Sequence, residues 1–192
     1  MEYRFCIFES NFTKNMENNI KKNSIDIGIK LGTFLFFITA IIYTIDLNYF
    51  TNFLLMLGVY RIPVICFGIY AIITSRKLNN GLLTFKEAFT SYFLCVVVGY
   101  SILNVGSIII FKFIDPISAQ IINQNMTPAV LDFMHTINSY AFLFPPEAFD
   151  MATENMRNFD GFSYSNIISE FFNRLLMNAI FAVPLALIFK RP

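Results

Sequence analysis

Charge, tryptophan and histidine are all scarce in this chain of 192 residues. Charged side chains make up 14% of it, tryptophan is absent, and the single histidine is His135. A soluble domain usually carries about a quarter charged residues, so the deficit indicates a chain that resides in lipid. The net charge of +1 and the lack of any lysine or arginine cluster argue against a nucleic-acid-binding protein.

Cysteine is scarce as well, and Cys6, Cys66 and Cys95 do not have the spacing of metal ligands. Two of them lie within apolar stretches, where a thiol is usually a small buried side chain. One histidine leaves little scope for a histidine metal cluster. The chain also lacks a glycine-rich phosphate loop, a nucleophile elbow and a His-Glu-x-x-His pattern. We therefore expect no cofactor, no metal and no enzymatic activity.

Hydrophobic residues, in contrast, make up 56% of the chain and gather into four long apolar stretches. A helix needs about 20 apolar residues to cross a hydrocarbon layer of roughly 30 Å. The stretches reach approximately this length, so the sequence predicts an all-α integral membrane protein with four transmembrane helices. The predicted spans are 25–45, 53–74, 89–113 and 167–189.

Local signals mark the ends of these spans. Asn23–Ser24 precedes the first span. Thr84 and Glu87 form a capping box before the third, in which each side chain bonds the free backbone N–H of the other residue. Asp115–Pro116 ends that helix, because proline disfavours a helical conformation in the residue before it.

The first fifteen residues do not have the basic start and uninterrupted apolar core of a signal peptide, since Arg4, Glu9 and Asn11 interrupt them. Met16 opens a polar run that is typical of a natural start. We expect residues 1–15 to be a disordered tail or a spurious extension, with the true start at either Met1 or Met16. Residues 16–192 are expected to form a single membrane domain.

The charges between the spans predict the topology. Basic residues lie before the first span, between the second and third, and after the fourth: Lys14, Lys21, Lys22, Arg76, Lys77, Lys86, Lys190 and Arg191. The segment 115–166 instead carries six acidic residues against Arg157 alone. Cytoplasmic loops carry the excess of lysine and arginine, so both termini are predicted in the cytoplasm and 115–166 outside.

The outer segment is too long for a simple turn. Its prolines and apolar periodicity predict two short amphipathic helices, Pro128–Tyr140 and Pro146–Asn158. We expect them to form a helical hairpin between the third and fourth spans. It is either a solvated hairpin without a ligand or a functional lid on the membrane surface.

Each span also has one face of small residues, which let neighbouring helix backbones approach closely in a membrane. These faces predict a tightly packed four-helix bundle. The residues expected to pack the helices together are Gly28, Gly32, Gly68, Cys95, Gly99, Gly106, Ala182 and Ala186.

Two of these faces carry charges. Arg61 lies about 12 Å inside the second span at 1.5 Å per residue, and Arg174 lies at a similar depth in the fourth, one turn after Glu170. An ionisable residue within a membrane span is a candidate functional residue whose partner should be named. We predict an outward-facing polar vestibule formed by Asp46, Arg61, Glu170 and Arg174. The alternative is that both arginines extend to lipid headgroups and do nothing more.

Several short motifs occur in an order that resembles a known family. They are Met16–Asn19, Thr84–Phe89, Ile114–Pro116 and Pro146–Ala148. Together they resemble the Bacteroidota membrane proteins grouped as domain of unknown function 4199, over residues 16–191. The resemblance implies a multi-pass protein of a Gram-negative inner membrane, which would put 115–166 in the periplasm. It implies no catalytic residues.

We therefore expect a non-enzymatic protein of the lipid bilayer that binds or stabilises another membrane component. The partner would be a membrane protein or a second copy of the chain, bound through the small-residue faces or the outer helices. The alternative is a small oligomeric transporter or channel, in which Arg61 and Arg174 attract an anionic solute.

Overall fold

The structure is a computed structural model that describes residues 2–141, 145–157 and 160–190. Helices make up nearly all of this part of the chain. In order they are α1 (Glu2–Ile45), a short 3₁₀ helix (Leu47–Thr51), α2 (Phe53–Leu78), α3 (Phe85–Ile108), a π-helical continuation of α3 (Ile109–Ile114), α4 (Pro116–Ala141), α5 (Pro146–Arg157) and α6 (Tyr164–Phe189).

Within the described residues, four helices are long and apolar enough to cross a membrane. They cover Asn18–Ile45, Leu54–Leu78, Phe85–Ile114 and Tyr164–Phe189. Many of their leucine, isoleucine and phenylalanine side chains are exposed on the helix surfaces, as lipid contact requires. The prediction of an all-α fold with four membrane-spanning helices is confirmed.

The helix α1 is longer than the predicted first span. It begins at Glu2 and continues through Asn23–Ser24. That residues 1–15 are a disordered tail or a spurious extension stays a prediction. No glycine or proline occurs in this stretch to end a helix. The Ser24 hydroxyl donates to the Ile20 carbonyl oxygen at 2.8 Å, so it bonds within the helix instead of capping its start.

The turn between α2 and α3 has the predicted capping box. The Thr84 backbone N–H donates to Glu87 Oε2 at 2.8 Å, and the Glu87 backbone N–H donates to Thr84 Oγ1 at 3.3 Å. Asn80 and Gly81 precede it with φ of 53° and 86°, a conformation that glycine and asparagine tolerate best. Short-range hydrogen bonds therefore set where α3 begins.

Asp115 both ends α3 and starts α4. Its carboxylate accepts hydrogen bonds from the Ser118 backbone N–H and hydroxyl and from the Tyr43 hydroxyl. These bonds, chiefly those from Ser118, hold the pKa of Asp115 below its usual value. The predicted helix start at Pro128 is wrong, because α4 begins at Pro116 and passes through Pro128. A proline removes one backbone donor without necessarily ending a helix.

The structure forms two compact units, and unit 1 comprises Met1–Leu35, Pro63–Leu103 and Phe171–Pro192. Each of the four spanning helices contributes to it. Its largest buried side chains include two tyrosines, which lie among aliphatic residues. The buried residues include Leu31, Leu35, Val64, Ile72, Tyr92, Val96, Tyr100, Ala182 and Ala186.

Glycines bring α1 and α3 into contact in unit 1. A Cβ built on Gly28 would lie 2.7 Å from the Cys95 carbonyl oxygen, and one on Gly32 would lie 2.8 Å from the Gly99 carbonyl oxygen. A Cβ on Gly99 would lie 2.7 Å from Leu31 Cδ2. Side chains do not approach so closely, so the packing of α1 against α3 requires glycine at these positions.

Unit 2 comprises Phe36–Ile62 and Asn104–Glu170. Aromatic rings pack around one buried phenylalanine: the Phe111 ring centroid lies 4.7 Å from that of Phe162 and 5.5 Å from that of Phe50. Ring pairs that meet edge to face or tilted stabilise the fold beyond the burial of their apolar surface. The cluster at its centre consists of Ile110, Phe111, Ala119 and Ile122.

Two further glycines each lie against an aromatic ring. The Tyr92 ring in unit 1 lies in the space that a Cβ on Gly68 would need, and the Phe36 ring in unit 2 does the same at Gly106. Gly58 differs, because no atom lies within 4 Å of a Cβ built there. The glycines of α2 therefore have two different surroundings.

We expect Gly68→Ala to destabilise the protein and Gly58→Ala not to. The added methyl of Gly68→Ala meets the fully buried Tyr92 ring, and overpacking of this kind costs about 1–3 kcal/mol of unfolding free energy. Gly58→Ala gains up to about 1 kcal/mol of helix propensity without a clash. The melting temperatures of both variants and the wild type, monitored by circular dichroism in the same mild detergent, measure the difference in stability. A Gly68→Ala variant that melts with the wild type would show that this packing is wrong.

Candidate binding site

Arg61 lies on α2 in unit 2, and two contacts fix the helix around it. The Asn52 side-chain oxygen accepts a hydrogen bond from the Leu55 backbone N–H at 3.1 Å and so caps α2. The Tyr60 hydroxyl lies 2.7 Å from the Thr39 hydroxyl of α1. This bond ties the two helices together beside Arg61 and fixes the rotation of α2.

The guanidinium of Arg61 is incompletely paired. The residue is half-buried, and its Nη1 has no contact with solvent and no hydrogen-bond partner. An arginine carries five N–H donors and remains charged in proteins. Leaving a charged donor without an acceptor costs several kcal/mol in a low-dielectric environment. Among the described residues, the one other buried side-chain atom without a partner is the uncharged Oδ1 of Asn79.

The face of α2 next to Arg61 is open. Gly58 lies one turn before it with nothing near its Cβ position, and Leu57 and Leu54 on the same face are exposed. No atom of the Arg61 side chain comes within 4 Å of this Cβ position. We call Arg61, Gly58, Leu57 and Leu54 the Arg61 notch. It combines one cation with an apolar rim.

The other residues of the predicted vestibule lie at the start of the 3₁₀ helix and on α6. Asp46 caps the 3₁₀ helix, and its Oδ1 accepts a hydrogen bond from the Asn48 backbone N–H at 2.9 Å. Glu170 is exposed on α6. Asp46, Arg61 and Glu170 belong to unit 2 and Arg174 to unit 1. The vestibule therefore stays a prediction.

Arg174 lies beside a polar network in unit 1 that the sequence did not reveal. Asn178, 1% exposed, accepts a hydrogen bond from the Tyr92 hydroxyl at 3.4 Å and donates to the Tyr100 hydroxyl at 3.5 Å and the Arg174 carbonyl oxygen at 2.8 Å. The Arg174 guanidinium carbon lies 5.7 Å from the Tyr100 ring centroid. The sequence spacing of Asn178, Ala182 and Ala186 indicates that they share one face of α6. It does not identify the tyrosines of α3 that pack against this face.

Three fully buried serines form a second network in unit 1. The Ser91 hydroxyl oxygen lies 2.7 Å from that of Ser75, 3.0 Å from that of Ser24 and 3.0 Å from the Ala71 carbonyl oxygen. The Asn23 amide donates to the Ser75 hydroxyl at 3.1 Å. These bonds join α1, α2 and α3. Because each group finds its partner within the chain, we assign the network to structure.

No metal centre is present in the part of the chain that the structure describes. None of its histidine, cysteine, aspartate and glutamate side chains come together in a group of three or more that could hold a metal ion. The chemistry available at the Arg61 notch is recognition of an anion through charge and hydrogen bonds. It includes no neighbouring acid, base or nucleophile on the same face of α2.

Comparisons with known proteins identify a family. The model of the family described as "Protein of unknown function (DUF4199)" matches residues 26–191. No curated protein and no solved structure matches the chain. The match covers most of the chain and confirms the family indicated by the short motifs.

Proposed function

The chain belongs to the DUF4199 family, and we propose that it is a non-enzymatic multi-pass protein of the inner membrane that binds another membrane component through Arg61. The observation behind this proposal is the Arg61 Nη1, which is buried without a hydrogen-bond partner. In a hydrocarbon layer no water is at hand to supply the missing acceptor. A component that brings an acceptor into the covered space around Nη1 removes this cost.

The surroundings of Arg61 favour a component that itself lies in the membrane. Leu54, Leu57 and Ile62 are exposed around it, and exposed apolar side chains on a spanning helix are in contact with lipid or with another membrane protein. A soluble ligand would meet little polar surface here. The proposed component therefore has an anionic or carbonyl acceptor and an apolar body.

The proposed topology has both termini in the cytoplasm and residues 115–166 in the periplasm. It rests on the basic residues that flank the spans, such as Lys21, Lys22, Arg76 and Lys77, and on the six acidic residues of 115–166. In this orientation the N-terminal end of α2, which is the end nearer Arg61, faces the periplasm. The component would then bind in the outer leaflet of the inner membrane.

Reporter fusions test this topology. We expect alkaline phosphatase, which folds only outside the cytoplasm, to be active when fused after Pro145 and inactive when fused after Asn80. A green fluorescent protein at the C-terminus is expected to fluoresce. The opposite pattern of the two phosphatase fusions would place Arg61 on the cytoplasmic half and overturn the orientation.

Affinity purification from native membranes tests the binding function. We expect the tagged protein to retain a component that Arg61→Gln loses, because glutamine removes the charge and most of the donors. The matched control is Lys30→Gln, which removes an exposed cation from α1. Mass spectrometry of proteins and lipids in the three eluates, with membrane abundance measured in parallel, identifies the component.

Two outcomes would contradict the proposal. Identical eluates from the wild type and Arg61→Gln would show that Arg61 binds nothing. The protein could instead purify as a homo-oligomer without a bound component and carry an anion flux into vesicles. If Arg61→Gln abolished that flux, the result would favour the transporter.

A further inference from the structure

We infer, independently of the proposed binding at Arg61, that two copies of the chain pair in the membrane through the exposed face of α6. In this pairing the amide of Asn173 bonds the same amide of the second copy, and a line of apolar side chains packs below it. The exposure of α6, the spacing of its exposed residues and the position of Asn173 support the pairing.

Of the four spanning helices that the structure describes, α6 is the least covered by the rest of the chain. In its most apolar stretch 17% of the residues are buried, against 39% for α3. The buried residues of α6 are Asn178, Ala182 and Ala186. Ala182 lies nine positions after Asn173, which is two and a half turns at 3.6 residues per turn. Asn173 is therefore on the opposite side of α6 from this buried face, and it is exposed.

Exposed residues of α6 recur at the spacing of a coiled-coil interface. From Asn173 onward the steps are three, four, three and four residues, and each residue reached is exposed. A repeat of 3.5 residues keeps one face of a helix against a partner helix as the two supercoil. The five residues cover about 21 Å of helix at 1.5 Å per residue, and all lie in unit 1. We call them the α6 seam: Asn173, Leu176, Ile180, Val183 and Leu187.

Asn173 distinguishes a partner helix from lipid as the cover of the seam. It lies nine positions after Tyr164, where the span starts, which is about 13 Å along the helix. Its short amide does not extend to the membrane surface as lysine and arginine do. The side chain makes no hydrogen bond to any residue that the structure describes. Hydrocarbon offers no water in place of that partner, whereas an asparagine bonds well across an interface between membrane helices.

A second copy of the chain supplies the matching group by symmetry. All copies have one topology, so two α6 helices that face each other run parallel, with Asn173 at the same depth in both. An amide both donates and accepts hydrogen bonds, so the two side chains satisfy each other across a two-fold axis. In coiled coils, a single asparagine among apolar interface residues fixes the register and the number of helices. The α6 seam has this composition.

Disulfide crosslinking in native membranes tests the pairing. Cysteines are placed one at a time in the full-length chain, whose own cysteines, apart from the fully buried Cys95, are replaced by serine. We expect covalent dimers on mild oxidation of the seam variants Leu176→Cys and Ile180→Cys. Phe181→Cys and Ile188→Cys are the matched controls, because these residues are also exposed on α6 but lie off the seam. They are expected to stay monomeric.

The affinity of the dimer tests the role of Asn173. Energy transfer between labelled copies, measured in vesicles over a range of protein-to-lipid ratios, reports dimerisation. We expect Asn173→Leu to weaken it about tenfold and Asn173→Gln, which keeps an amide, to weaken it less. Asn104→Leu is the matched control, since it removes an amide from α3, and it is expected to dimerise like the wild type. Because Asn173 is exposed, both of its variants are expected to melt like the wild type.

Three results would overturn the pairing. The first is a protein that stays monomeric at every protein-to-lipid ratio. The second is crosslinking that is equal at seam and control positions, or a dimer affinity that Asn173→Leu leaves unchanged. The third is a seam cysteine that crosslinks to a different protein, because the partner would then not be a second copy. Arg61→Gln is expected to leave the seam crosslinks unchanged, so the pairing and the binding at Arg61 fail separately.

Discussion

Polar side chains on a membrane-spanning helix need hydrogen-bond partners, because the hydrocarbon layer offers no water to replace them. In unit 1 the partners lie on neighbouring helices. The buried serines Ser24, Ser75 and Ser91 bond one another, and Asn178 of α6 bonds two tyrosines of α3. Each of these bonds fixes the rotation of a helix about its axis, which apolar contacts alone leave loosely determined.

Such bonds form only where helix backbones approach closely, and the glycines make that approach possible. Gly28 and Gly32 of α1 lie against carbonyl oxygens of α3, and Gly68 lies against the Tyr92 ring that bonds Asn178. Packing and polar pairing in unit 1 are thus parts of one arrangement. Arg61 shows the opposite case, a buried charged donor without a partner, and this contrast is the basis for the proposed binding function.

The sequence predicted the features that depend on local pattern and composition. Four apolar stretches indicated the spans, and Thr84 and Glu87 formed the expected capping box. The start of α1 and the start of α4 were missed, because Ser24 and Pro128 are compatible with a helix interior as well as with a helix end. Helix signals near prolines and serines are ambiguous until their hydrogen-bond partners are known.

The candidate site was predictable only in part. Arg61 could be identified from the sequence because it is a charge within an apolar stretch. The hydrogen-bond partners of its guanidinium depend on tertiary packing and could not be predicted. Asp46 is a plausible partner on helical spacing, and in the structure its Oδ1 caps the 3₁₀ helix through the nearby N–H of Asn48. A carboxylate accepts several hydrogen bonds, and a one-dimensional pattern cannot identify all of its partners. Nor could the sequence show that Gly58 is open while Gly68 is filled.

The central claim is that the acceptor for Arg61 comes from outside the chain, and photocrosslinking from position 58 tests it most directly. A photoreactive amino acid placed at Gly58 would be illuminated in native membranes, and its adducts would be identified by mass spectrometry. Our account predicts an adduct with another membrane component, which disappears when Arg61→Gln is added. Crosslinks confined to residues of the same chain, unchanged by Arg61→Gln, would contradict it.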